Sequence, residues 1–242
     1  MSVLDDFPVA ILAGGLATRL RPITETIPKA LVTVAGEPFL AHQLRLLHSR
    51  GIRRVVLCVG YRGEMIESEF KEARHEVKIE YSFDGPRLLG TGGALKQALP
   101  KLGNKFFVLY GDSYLPIDYE YVARAFSESN KLGLMTVFKN QGRWDSSNVI
   151  FDGRNIQCYD KKNRSPEMEY IDYGLGVLRL EALAEWPAAE PFDLADVYQN
   201  LIKKNQLAGV EVKQRFYEAG SKSGLAELDS ILHDPTTFLK KT

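Results

Sequence analysis

Between Leu12 and Lys29 the chain reads LAGGLATRLRPITETIPK, a stretch dense in groups that bind phosphate. Gly14 and Gly15 follow the apolar run Val9–Ala13, and their missing side chains let backbone N–H groups approach a phosphate or a base. Thr18 supplies a hydroxyl, and Arg19 a planar cationic fork suited to polyphosphate oxygens. Lys29 adds a second, point-like cation, and Pro22 and Pro28 stiffen the loop between them. The Walker A order G-x-x-x-x-G-K-[ST] is absent. So is G-x-G-x-x-G, which disfavours a dinucleotide-binding Rossmann enzyme.

Two further segments belong to the same chemistry if the fold brings them close. Leu89-Gly90-Thr91-Gly92-Gly93-Ala94 reads either as a glycine-rich helix start or as backbone left bare for a ligand. Tyr110-Gly111-Asp112-Ser113 ends a buried run, and Asp112 taken alone would be a turn or helix-cap acid. Its place after a strand, facing the first loop, favours a functional role over that one. Histidine takes no part in any of these motifs: His42 and His48 fall on a helix, His75 in a polar segment and His233 near the end, as structural or surface residues.

The elements that must hold these loops alternate in type. Val9–Ala13, Arg54–Val59, Lys78–Tyr81, Lys105–Leu109 and Leu132–Phe138 read as strands, and 38–49, 64–70, 94–99 and 119–127 as helices. Repeated strand–helix units specify a parallel sheet with helices on both faces, and ligands on such sheets bind beyond the carboxyl ends of the strands. The second half is less regular. Its strands at 148–151, 156–159 and 174–180, with helices at 193–204 and 223–233, predict a smaller mixed subregion opposite the nucleotide side, the last helix packing back on the first half. No repeat or linker divides the chain, which predicts a single domain over 1–242 with two subregions that divide at about 140.

The balance of 31 basic and 31 acidic residues gives no global field for nucleic acid or an anionic membrane. Two cysteines make neither a disulfide framework nor a metal spacing, and Cys58, inside VVLCVG, reads as a small buried hydrophobe. With no signal-type segment and no membrane-length apolar run, the expected compartment is the cytoplasm.

The string G-G-x-x-T-R-L-x-P-x-T-x-x-x-P-K resembles the signature of the sugar-1-phosphate nucleotidyltransferases, and motifs in the same order carry the resemblance over nearly the whole chain. It implies an α/β fold of the GT-A-like kind: a Rossmann-like, mixed, mostly parallel sheet. It also implies a reaction between a nucleoside triphosphate and a sugar 1-phosphate, with Mg²⁺ as cofactor. By resemblance, Leu12, Ala13, Gly14, Gly15, Thr18, Arg19, Gly90, Thr91 and Gly92 face the nucleotide, while Lys29, Gly111, Asn148, Lys161 and Asp172 face the sugar phosphate or sugar. Arg19, Lys29 and Asp112 are then the catalytic set, and Asp112 with Glu218 the metal ligands.

Three departures stand out. The family usually has glycine where this chain has Ala17, so the loop keeps its path only if Ala17 avoids positive φ. Asp172 stands where asparagine is common, and Glu218 where aspartate is usual. A binding-only sensor could tolerate such changes, but it would also be free to lose Arg19, Lys29 or Asp112, and all three remain. LGTGGAL in a short chain most resembles the heptose- and mannose-1-phosphate guanylyltransferases, with uridylyl, cytidylyl and thymidylyl transfer left open. The chain ends soon after Glu218, which predicts no appended left-handed β-helix acyltransferase domain. A homo-oligomer is compatible with the resemblance.

Overall fold

The computed structural model describes residues 3–71, 76–144 and 146–233; His75 lies outside them. The first half runs β1 (Val9–Leu12), β2 (Thr33–Val34), β3 (Glu37–Pro38), α1 (Phe39–Ser49), β4 (Arg54–Val59), α2 (Gly63–Phe70), β5 (Lys78–Phe83), α3 (Gly90–Leu102), β6 (Lys105–Tyr110), β7 (Ser113–Tyr114), α4 (Tyr119–Ser129) and β8 (Gly133–Lys139). The second adds β9 (Val149–Phe151), β10 (Ile156–Tyr159), β11 (Tyr170–Arg179), α5 (Leu194–Lys203), β12 (Leu207–Glu211), β13 (Tyr217–Glu218) and α6 (Lys222–His233).

Nine strands form one twisted sheet in the order β10-β9-β11-β6-β1-β4-β5, with β8 pairing β11 and β12 beside this path. Strands β5, β4, β1 and β6 are mutually parallel, and β11 turns the direction by pairing antiparallel to β6. Side chains alternate across this sheet with the period of two expected of strands buried on both faces. Val9, Ile11, Val55, Leu57, Phe107 and Leu109 face the layer made by α1, α2 and α4, while Ala10, Val56, Cys58, Phe106 and Val108 face α3 and α5. The α/β sheet with helices on both faces is as the sequence predicts, and Cys58 is a buried small hydrophobe. A third cluster joins Leu228 and Ile231 of α6 to Val34, Phe39, Tyr114 and Tyr217, so the last helix does pack back on the first half. Among the described residues no helix is long and apolar enough to cross a membrane.

The differences from the sequence reading have local causes. The helix expected from Ala94 starts at Gly90, because Gly92 and Gly93 pack against the segment before α5: a Cβ on Gly92 would stand 2.3 Å from the Phe192 ring. β11 begins at Tyr170 rather than Gly174, since a register shift between Asp172 and Gly176 interrupts its alternation. β12 escapes notice because Gly209 interrupts it, where a Cβ would lie 2.5 Å from the Phe151 ring.

Candidate active site

The Gly14–Lys29 loop leaves β1 between the ends of β4 and β6, and the backbones there touch. The N–H of Ala13 donates to Cys58 O at 2.9 Å and that of Gly111 to Leu12 O at 3.1 Å. A Cβ on Gly111 would stand 2.3 Å from Leu12 O, so only glycine lets β6 leave the sheet beside the loop. Gly15 is different, because a Cβ there would meet nothing within 4 Å. Leu20, fully buried, anchors a 3-10 turn at Thr18–Leu20, and the buried Thr24 hydroxyl donates to Ala17 O at 2.8 Å. Ala17 itself has φ 47° and ψ 46°. The condition that the loop keeps its path only if Ala17 avoids positive φ is thus overturned: the loop keeps a left-handed turn there and absorbs the strain, about 1–2 kcal/mol for a residue with a Cβ.

The loop and the end of β6 meet on Asp112. Lys29 Nζ donates to Asp112 Oδ2 at 2.8 Å, and Arg19 Nη2 lies 3.9 Å from the same oxygen, with Arg19 largely exposed and the other two mostly enclosed. Glu218 arrives from the other end of the chain through a two-strand ribbon in which β13 pairs β7, Glu218 opposite Ser113, and Ala219 N–H donates to Asp112 O at 2.8 Å. A Cβ on Gly220 would stand 2.8 Å from both Asp112 Oδ2 and Glu218 Oε2 and 3.0 Å from Arg19 Nη2, so the two carboxylates and the guanidinium converge on one point. The longer reach of glutamate is taken up locally: its carboxylate accepts from the Gly220 N–H and the Ser221 hydroxyl. From beneath, the buried Gln43 side chain on α1 donates to Ser113 O at 2.8 Å and holds the turn that carries Asp112.

Beside this cluster opens a cleft of about 250 Å³, lined by Leu12, Ala13, Gly14, Gly15, Lys29, Cys58, Asp84, Leu88, Gly90, Thr91, Tyr110, Gly111 and Asp112. Gly92 is set back under Phe192, and the Thr91 hydroxyl serves α5, donating to Asp193 Oδ1 at 2.9 Å and accepting the Leu194 N–H at 2.8 Å. Asp84, at the start of the 84–89 loop, is an ionisable group lining the cleft. It accepts the Leu89 N–H at 3.0 Å, yet burial outweighs that bond and pushes its carboxyl above the usual range.

The sugar-side candidates lie around the β11 irregularity. Asp172 Oδ2 accepts the Tyr159 hydroxyl at 2.9 Å and the Tyr110 hydroxyl at 3.2 Å, and Oδ1 accepts the Gly174 N–H at 3.1 Å. Asn148 Oδ1 accepts the Asp172 N–H at 2.9 Å. Lys161, exposed, sets its Nζ over the rings of Tyr110 and Tyr159, 5.0 and 5.5 Å from their centroids. Burial, with the negative charge of Asp172 next in weight, pushes both phenols well up, so both stay protonated and donate.

Residues 9–148 match the Nucleotidyl transferase family. The chain belongs to that family. It is 30% identical over 194 residues to the D-glycero-alpha-D-manno-heptose 1-phosphate guanylyltransferase of Campylobacter jejuni, covering 80% of this chain and 86% of the relative. It is 28% identical over 216 residues to the mannose-1-phosphate guanylyltransferase catalytic subunit beta of Xenopus tropicalis, covering 87% of this chain and 60% of that one, so it spans less than two thirds of this second relative. Its fold is similar to the crystal structure of HddC from Yersinia pseudotuberculosis complexed with GMP-PN, with a TM-score of 0.76, 25% identity, and coverage of 93% of this chain and 99% of that one.

Membership of the nucleotidyl transferase family bears out the resemblance read from the Gly14–Lys29 loop. The matched stretch contains Arg19, Lys29, the Gly90 segment and Asp112; Lys161, Asp172 and Glu218 fall beyond it. Sequence reasoning missed Gln43 and Tyr159, which help aim these side chains, while Thr24, Tyr110 and Gly220 stood in the motifs without that role. For Gln43, a polar residue on the apolar face of α1 was the available signal. The described histidines bond within the fold, His42 to Val34 O, His48 to Glu76 and His233 to Asp229.

Proposed function

We propose that the protein transfers a guanylyl group from GTP to a heptose or mannose 1-phosphate. A phosphate oxygen of the sugar 1-phosphate attacks the α-phosphorus, the bond to the β-phosphate oxygen breaks, and pyrophosphate leaves. The observation that carries this reading is the convergence of Lys29, Arg19, Asp112 and Glu218 at the mouth of a glycine-lined cleft. Such displacement needs positioning and charge neutralisation more than proton transfer, and the site holds cations and carboxylates without histidine.

Gly14 and Gly15 leave the triphosphate room against backbone N–H groups, and Thr18 and Arg19 hold its β- and γ-phosphates and the departing pyrophosphate. Lys29 stands between the α-phosphate and the incoming sugar phosphate, which Lys161 holds from the other side. Asp112 and Glu218 fit Mg²⁺, which one or two carboxylates and substrate phosphates commonly bind, and the Lys29 ammonium on Asp112 already marks a cation position. Bound there, the ion would neutralise charge on the reacting phosphates. Asp84, an acceptor at the cleft floor when ionised, favours the base that offers two donors on one edge, the N1–H and amino group of guanine. The Asn148 amide NH₂, which has no hydrogen-bond partner among the described residues, would donate to a sugar hydroxyl.

Pyrophosphate release with Mg²⁺, each of the four common triphosphates and a panel of sugar 1-phosphates tests the reading. Release is expected with GTP and a manno-configured heptose or hexose 1-phosphate. Release with another base alone would overturn the guanylyl assignment, and binding of nucleotide sugars with no release from any pair would leave a sensor instead.

A further inference from the structure

Asp172 stands where a sugar-reading side chain is expected, yet its acceptor sites are largely spent inside the protein. A carboxylate offers about four. Two on Oδ2 take the hydroxyls of Tyr159 and Tyr110, and one on Oδ1 takes the Gly174 N–H. The irregular stretch of β11 aims the carboxylate at these hydroxyls, and Asn148 fixes it by accepting the Asp172 N–H. Tyr159 is almost wholly buried and packs edge-on against Tyr198. Both rings tethered by the carboxylate lie under the Lys161 ammonium, a side chain on an exposed turn for which these rings are the neighbours that the described residues provide.

We propose that Asp172 is a positioning residue for Lys161, acting through the hydroxyls of Tyr110 and Tyr159, and does not itself read a sugar hydroxyl. The carboxylate locks two rings at one edge, and their faces hold the ammonium where the sugar phosphate must arrive. The proposal rests on Lys161 as the sugar-phosphate group. A carboxylate turned inward in this way also carries its charge away from the anionic substrate, whereas one lining the subsite would repel it.

Two measurements test it, and the first is independent of activity. Reductive methylation with ¹³C leaves lysine charged and gives each side chain a methyl signal; the one lost in Lys161→Arg is that of Lys161. Lying over two ring faces, it is expected upfield of the other lysines in the wild-type protein. In Asp172→Asn and in Tyr159→Phe it should move toward the common position while the remaining lysine signals, which report the fold, stay in place. An unshifted Lys161 signal in both variants would overturn the proposal.

The second measurement is steady-state pyrophosphate release. In Asp172→Asn the KM for sugar 1-phosphate should rise about three- to tenfold, the scale of a cation held over aromatic faces, with the KM for the triphosphate unchanged. The same substitution should add little in a Lys161→Met background, because one effect acts through the other. A full additive loss, or a loss that vanishes with a single deoxy analogue of the sugar, would instead make Asp172 a direct reader. Should the wild-type protein release no pyrophosphate from any pair, the proposed function fails, while the methyl signals still decide the role of Asp172.

Discussion

Lys29 Nζ stands 2.8 Å from Asp112 Oδ2, a contact between residues 83 positions apart that exists because β1 and β6 are parallel neighbours whose ends open on the same edge. The pair is mostly enclosed, with Arg19 in reserve at 3.9 Å from the same oxygen. Lys29→Met leaves Asp112 a second cation, so the fold should survive at a cost of about 1 kcal/mol, while turnover falls about 10²- to 10³-fold because the transferring phosphate loses its fixed counter-charge. Pyrophosphate release beside a thermal melt checks both halves. Near-normal turnover would remove Lys29 from the chemistry.

Gly220 gives a sharper test of the convergence. Its Cβ position lies 2.8 Å from Asp112 Oδ2 and Glu218 Oε2 and 3.0 Å from Arg19 Nη2, while its φ is ordinary for any residue. A methyl group there displaces side-chain ends without straining the backbone. Gly220→Ala should therefore keep its melting temperature within a few degrees and lose about 10²-fold in turnover, the scale of misplacing reacting groups by about 1 Å. Full activity in this variant would mean that the three groups do not act together.

Much of this site was legible because its strongest parts are local. A glycine pair after an apolar run, with Arg19 and Lys29 downstream, declares itself within 18 residues, and the Val9–Leu12 and Lys105–Tyr110 strands place it by their continuous burial. What stayed hidden depends on pairings between distant, very short segments. The β7–β13 ribbon is two residues on each side, too brief for any periodicity, yet it sets Glu218 beside Asp112. The inward turn of Asp172 was equally invisible, since it needs Tyr110 and Tyr159, on two other strands, to supply the donors.

Ala17 is a place where the chain holds strain. At φ 47° its Cβ crowds the backbone, and the buried Thr24 hydroxyl on Ala17 O keeps the turn from relaxing. Glycine removes the crowding, worth about 1–2 kcal/mol, but loosens the unfolded chain by about 0.5–1 kcal/mol. Ala17→Gly should thus gain about 0.5–1 kcal/mol with activity little changed. An unchanged or lower midpoint in urea unfolding would show that the turn is not strained in solution.

The two thiols should behave differently. Burial first, and then the negative charge of Asp84, push the Cys58 thiol up to about 12, so at pH 8 almost none of it is the reactive thiolate. Cys158 is raised as well but only half-buried. Iodoacetamide at pH 8 should label Cys158 in the native protein and reach Cys58 only after unfolding, read by mass spectrometry of the peptides. Rapid native labelling of Cys58 would mean that the cleft floor opens.

Asp84 links the cleft to stability through pH. Burial raises its carboxyl above the ordinary value of 3.8, so the folded protein holds that proton more tightly than the unfolded chain does. The sign follows: as pH rises from the ordinary value through the raised one, the charged form accumulates in a place that disfavours it, and stability falls by an amount that is constant at higher pH. Asp84→Asn removes the charge and keeps an oxygen for the Leu89 N–H. The variant should melt above the wild type at pH 7–8, with the gain shrinking as pH drops and gone below the ordinary carboxylate value. Its amide also presents a donor where the proposed guanine contact needs an acceptor, so the proposed preference for GTP should weaken in the same protein. A pH-independent difference in melting would show that Asp84 is not penalised by burial, and an unchanged base preference would take it out of guanine recognition.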